Sequence, residues 1–206
     1  MTTLWGRLSS INVRKVVWAA QEVGVDFERI DVGGPFGQLD TPQYAAMNPN
    51  RTIPVLQDGT LTLWESNTIV RYLCATYAPG RLYPLDLPQR FDAERWMDWQ
   101  LASLNPAGRH GFLQQIRTPE AQRDATLLAQ SRQATEALLT LLNSHLGKRA
   151  YVGGEHFGMA DMAIGCEVHR WWGLPQPRQP HPHIERWYQR LLERPASHNI
   201  LSVVLT

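Results

Sequence analysis

Cysteine is nearly absent from this 206-residue chain: Cys74 and Cys166 are the only two. Two thiols cannot build a disulfide framework or a four-ligand zinc site. Lysine is as scarce, since 20 basic side chains include only Lys15 and Lys148. Charge of one sign is missing too: 19 acidic residues leave a formal net charge of +1. That balance supplies no electrostatic footprint for a phosphate backbone, so no nucleic acid partner is expected. No apolar run approaches the ~18 residues of a membrane span, and no membrane partner is expected. MTTLWGRLSS at the start has no apolar stretch behind a basic residue, so no secretory signal is read there. A Gly-rich phosphate loop is absent, as is any Ser, His and acid grouping at hydrolase spacing. His181-Pro182-His183 is short and broken by proline, so no metal site is expected. These exclusions leave a soluble, cytoplasmic globular chain, 43% hydrophobic and long enough to bury a proper core.

What is present changes character along the chain. The first 80 residues mix short apolar runs with turn signals, among them Val32-Gly33-Gly34-Pro35, Asn48-Pro49-Asn50 and Asp58-Gly59. A boundary is marked by APGRLYPLDLP, and beyond residue 88 helical spacing dominates. Thr3–Trp5 reads as a strand, followed by a helix with Val13, Val16, Val17 and Ala20 on one face and Gly24 at its end. Residues 27–32 read as a returning strand. Residues 53–56 and 61–64 flank Asp58-Gly59 as a hairpin, and Ser66 is placed to cap a helix carrying Ile69, Leu73 and Thr76. Leu127, Leu128, Ser131, Thr135, Leu138, Leu139 and Leu142 mark a long amphipathic helix; Ile184, Trp187, Tyr188 and Leu191 mark the last one. The eight tryptophans are read as packing.

Four segments could carry chemistry, each with a plainer account. Arg7-Leu8-Ser9-Ser10-Ile11-Asn12 puts hydroxyl and amide groups beside the free N–H groups of a helix start, an anion site or simply an N-cap. Thr52-Ile53-Pro54-Val55 could expose the Ile53 backbone to a ligand through a cis bond, or be an ordinary trans proline entering an edge strand. At Glu65-Ser66 a ligand carboxylate could accept from the Ser66 N–H and hydroxyl and Glu65 could take an ammonium group, or the pair could be a helix cap beside a surface acid. Gly158-Met159-Ala160-Asp161 reads as a folding signal in which Asp161 reaches back to a helix start.

In this order, SSINVRKVVWAAQEVGVDFERID, MNPNRTIPVLQDG, LTLWESNTIVRYL, FGMADMAIG and ERWYQRLLERPA resemble the cytosolic glutathione transferases over essentially the whole chain. The likeness is greatest to bacterial members resembling the theta, delta and nu groups. The resemblance implies an α/β plus all-α fold: a thioredoxin-like glutathione-binding domain over 1–80 and an all-helical domain over 88–206. It implies glutathione as co-substrate, no metal, a small hydrophobic electrophile, a detoxification role and a homodimer. Ser10 precedes Arg14 by four, as a serine does in the theta and delta groups. Ser10, Asn12 and Lys15 also match the threonine, asparagine and lysine of nu-like relatives. Ser10 is therefore the implied thiolate donor, with Asn12 second. Ile53 beside a cis Pro54 is implied to hold the cysteinyl backbone, Glu65 and Ser66 the γ-glutamyl end, and Arg51 the glycine carboxylate. Leu8, Leu104, Asn105, Arg109, Trp171 and Trp172 are candidates to line the electrophile pocket. Ile11 after Ser9-Ser10, instead of cysteine, speaks against zeta-type isomerisation and against thiol transfer through a protein cysteine. A glutathione peroxidase and a non-catalytic module, like the transferase-like domains of elongation factor gamma subunits, are the alternatives.

Overall fold

A computed structural model describes residues 1–206, which divide into two compact units, Met1–Pro84 and Leu85–Thr206. The first unit runs β1 (Thr2–Trp5), α1 (Ile11–Val23), β2 (Phe27–Ile30), α2 (Pro42–Met47), β3 (Val55–Asp58), β4 (Leu61–Trp64) and α3 (Ser66–Tyr77). The sheet order is β2-β1-β3-β4. Strands β1 and β2 are parallel, which requires the α1 crossover between them; β3 runs antiparallel to both β1 and β4.

Local sequence accounts for these elements. Val13, Val16, Val17 and Ala20 are all buried along one face of α1. The helix stops at Gly24, whose left-handed φ of 73° lets its N–H reach Ala20 O and Gln21 O. Strands β3 and β4 are joined by the two residues Gly59-Thr60. Three details differ from expectation. Strand β3 runs from Val55 to Asp58 and not over 53–56, so Asp58 closes the strand and the turn falls on Gly59-Thr60. Strand β2 ends at Ile30, because Gly33 and Gly34 turn the chain with φ of 82° and 59°. Ser66 is the first residue of α3, and Glu65 occupies the N-cap with φ 72° and no side-chain capping bond.

The second unit holds α4 (Leu87–Trp99), α5 (Asn105–Phe112), α6 (Ala125–Leu146), α7 (Met159–Trp172) and α8 (Pro182–Leu192). A π-helical turn, Gln100–Leu104, joins α4 to α5. Pro106 lies one residue inside α5 and has no N–H to give, so the widened turn falls where α-helical bonding would fail. Helix α7 is buried almost all round, from Met159 to Trp171, and forms the centre of this unit. Asp161 secures it, accepting from Val152 N at 2.9 Å, Gly158 N at 2.9 Å and Trp187 Nε1 at 2.7 Å. No helix is long and apolar enough to cross a membrane.

Candidate functional site

Register in the sheet decides which loops share an end. Trp5 pairs with Ile30 on one side and with Val55 on the other, and Val55 pairs with Trp64. The residues after Trp5, after Ile30, before Val55 and after Trp64 therefore all leave the same end of the sheet. Those segments are the Arg7–Asn12 turn, the Gly33–Gly34 corner, Ile53-Pro54 and Glu65-Ser66. Below them Val32, Tyr44 and Val55 form a buried apolar cluster, with Trp5, Ile30 and Ile53 packed against it.

Ser10 is the N-cap of α1, yet its side chain makes no capping bond. No acidic residue stands in the first turn of α1 to offset its N-terminal partial charge. Ser9 is held differently: its Oγ accepts from Arg7 Nη1 at 2.5 Å. Of the two neighbouring hydroxyls, Ser10 is the one left without a capping partner at a helix start. Asn12, half-buried, follows in the first turn.

The Ile53–Pro54 bond is cis. Its approach is fixed from beneath: Tyr44 OH donates to Thr52 O at 2.8 Å and Asn48 Nδ2 to the same oxygen at 2.9 Å. Tyr44 is buried, which raises its phenol to about 12 and keeps it a donor. Three non-glycine residues have positive φ, and two of them are Arg51 (52°) and Glu65 (72°). Such backbones cost roughly 1–3 kcal/mol each and cluster at functional sites. Arg51 is exposed and pairs with Asp40 at 3.2 Å. Ser66 is buried at the start of α3.

A buried pair that sequence reading missed adjoins Ser66. Lys15, fully buried on α1, donates through Nζ to Asn67 Oδ1 at 3.3 Å, and Asn67 is itself buried. The available signal was a pair of cations, Arg14-Lys15, inside the apolar stripe of Val13, Val16 and Val17.

The residues proposed to line the electrophile pocket come from both units. Leu8 is half-buried in the Arg7–Ser10 turn. Leu104 and Trp171 are buried in the second unit, 3% and 4% exposed, with Trp171 Nε1 donating to Glu136 Oε1 at 2.9 Å. Asn105 is committed to Glu167 Oε1 at 2.5 Å, beside Gln100 at 2.7 Å, while Arg170 takes the other oxygen at 2.7 Å. Trp172 stacks edge-on with Tyr188 at 5.0 Å and under the Arg178 guanidinium. Arg109 is exposed. The structure brings no three His, Cys, Asp or Glu side chains together at metal-binding spacing.

Two family models match the chain: "Glutathione S-transferase, N-terminal domain" over residues 1–75 and "Glutathione S-transferase, C-terminal domain" over 122–190. Glutathione S-transferase GstB of Escherichia coli strain K12 is 39% identical, over 98% of this chain and 99% of that one. The chain belongs to the glutathione S-transferase family. Among solved structures of the family, a theta class transferase of Xanthomonas axonopodis pv. citri with glutathione bound is 43% identical. It superposes with a TM-score of 0.96 over 100% of this chain and 99% of that one. The Bombyx mori glutathione transferase BmGSTD1 is more distant, 25% identical with a TM-score of 0.88 over 98% of this chain and 93% of that one. The two Glutathione S-transferase domain models fall one in each unit.

Proposed function

We propose that this chain binds glutathione at the sheet end described above and conjugates its thiolate to a small hydrophobic electrophile, as a cytoplasmic homodimer. Ser10 donates to the sulfur, assisted by Asn12 and the free N–H groups at the start of α1. Ile53 pairs with the cysteinyl backbone, Glu65 and Ser66 hold the γ-glutamyl ammonium and carboxylate, and Arg51 meets the glycine carboxylate. The observation that carries this reading is the Ser10 side chain, set at a helix N-cap without a capping bond while Ser9 is engaged by Arg7.

The chemistry is a pKa problem. A thiol near 8.5 has to fall by about two units to be mostly ionised at neutral pH, worth roughly 2.7 kcal/mol. A hydrogen bond to an anion contributes about 1.5–3 kcal/mol, and a helix N-terminus about 0.3–1 kcal/mol more. Those terms together match the requirement without a metal.

The test is the ultraviolet thiolate absorbance of bound glutathione as a function of pH. Ser10→Ala is expected to move the midpoint up by roughly one to two pH units, and Asn12→Ala by less. Unchanged midpoints in both variants would remove the mechanism. Parallel assays with an aryl halide and an organic hydroperoxide identify the acceptor, and conjugation of the halide is the expected activity.

A further inference from the structure

Two serines stand side by side at the start of α1, and a reaction that uses one needs the other kept aside. Arg7 does this in the structure. Its Nη1 donates to Ser9 Oγ at 2.5 Å. Its side chain lies over Gly34, where a Cβ would fall 2.7 Å from Arg7 Nε and 3.2 Å from Cδ and Cζ. Gly34 also has a φ of 59°, so the corner needs glycine for its backbone and for the guanidinium it accommodates. The main chain of Arg7 is bound at both ends: its N–H donates to Val32 O at 3.3 Å, and its C=O accepts from Ser10 N–H at 3.1 Å. Arg7 Nε is buried with no partner. A guanidinium free to swing would turn that N–H to water, so the Gly34 corner and Ser9 hold this one in place.

We infer that Arg7 is a positioning residue for thiolate formation. It keeps the Ser9 hydroxyl oxygen on its guanidinium and packs the side chain of the Arg7–Ser10 turn over the Gly34 corner, so that the Ser10 hydroxyl is presented to the glutathione sulfur. The planar fork of arginine suits this task, since one side chain spans a glycine corner and a hydroxyl at fixed geometry. The inference rests on the proposed role of Ser10 and deepens it.

The experiment reads the pKa of bound glutathione in Arg7→Met, Ser10→Ala and the double variant. Arg7→Met keeps a long side chain over Gly34 and removes the donors. It is expected to raise the thiol pKa by about 0.5–1, which is three- to tenfold less thiolate at a pH below that value. Glutathione affinity measured where the thiol is protonated is expected to stay within about twofold, the size of an exposed polar contact. In the Ser10→Ala background, Arg7→Met is expected to move the pKa no further, because a residue acting through Ser10 has nothing left to position. Gly34→Ala, which pushes the guanidinium off its corner, is expected to reproduce the rise with Arg7 intact. Equal rises from Arg7→Met with and without Ser10 would make Arg7 a direct electrostatic contributor and overturn the inference. A normal pKa in Arg7→Met beside a raised one in Ser10→Ala would overturn it while leaving Ser10 in its role. A normal pKa in Ser10→Ala would remove that role first, and the inference with it.

Discussion

Arg51 stands in a left-handed backbone, φ 52°, that a β-carbon disfavours by roughly 1–2 kcal/mol. Its only charge partner seen here, Asp40, is 92% exposed, and such a pair returns little stability. Substitution by glycine is thus expected to leave the denaturant midpoint unchanged or raise it slightly. The same change is expected to weaken glutathione binding by up to about fivefold, the size of one exposed ion pair. Calorimetry with γ-glutamylcysteine, which lacks the glycine carboxylate, makes the comparison specific. Arg51→Gly and the unmodified chain are expected to bind that dipeptide alike, and an equal loss for both ligands would take Arg51 away from the carboxylate. Cysteine chemistry can be tested in the same way. Burial pushes the Cys74 thiol up to about 12, and Cys166 is 0% exposed. A thiol-specific chromogenic reagent is expected to find no reactive group in the folded chain and two after unfolding. Rapid labelling of either native cysteine would return the reactive sulfur to the protein.

Helix α5 carries two glycines, three residues apart, that face opposite demands. A Cβ at Gly111 would lie 2.8 Å from the Trp171 ring and 3.1 Å from Ser131 Oγ, while the Gly111 N–H donates to that same hydroxyl at 2.9 Å. At Gly108 the nearest atom would be 3.6 Å away, an ordinary contact. Alanine is therefore expected to destabilise at Gly111, by about 1–3 kcal/mol of overpacking. It is expected to stabilise at Gly108 by about 0.5–1 kcal/mol of helix propensity. Urea titration of the two variants checks both signs, and a like sign would mean that α5 does not approach α6 and α7 as described. The pair also marks what could be read from the sequence. Apolar spacing reports which face of a helix is buried, and it served for α1, α6 and α8. The Asp58-Gly59 signal likewise located the β3–β4 turn. Spacing does not report which polar groups meet across elements. The Lys15–Asn67 bond left only the Arg14-Lys15 pair inside an apolar stripe as a signal, and the engagement of Ser9 by Arg7 and the Glu167 cluster around the π-helical turn had none.

The stability of the helical unit is tied to pH through one fully buried carboxyl. Asp161 accepts three hydrogen bonds, which would lower its pKa, yet burial outweighs them and raises it from 3.8 to about 6. The unfolded chain releases this proton near 4 and the folded chain near 6. Between those values the folded state binds more protons, so the contribution of Asp161 to the unfolding free energy falls as pH rises through the window. It is level below about 4 and above about 6. Asp161→Asn has no such titration but loses an acceptor oxygen. Below about pH 4 it is expected to be less stable than the unmodified chain, by about 1–3 kcal/mol for a buried group left unpaired. That deficit is expected to be greatest near pH 4 and to shrink by up to about 3 kcal/mol on going to pH 7, because each pH unit between the two pKa values is worth about 1.4 kcal/mol. Both chains need only be unfolded in urea at a series of pH values, and the difference between their free energies isolates Asp161 from every other titrating group. A difference independent of pH would mean that the three donors, and not burial, set the charge state of Asp161. The helical unit would then be centred on a buried anion held by Val152, Gly158 and Trp187.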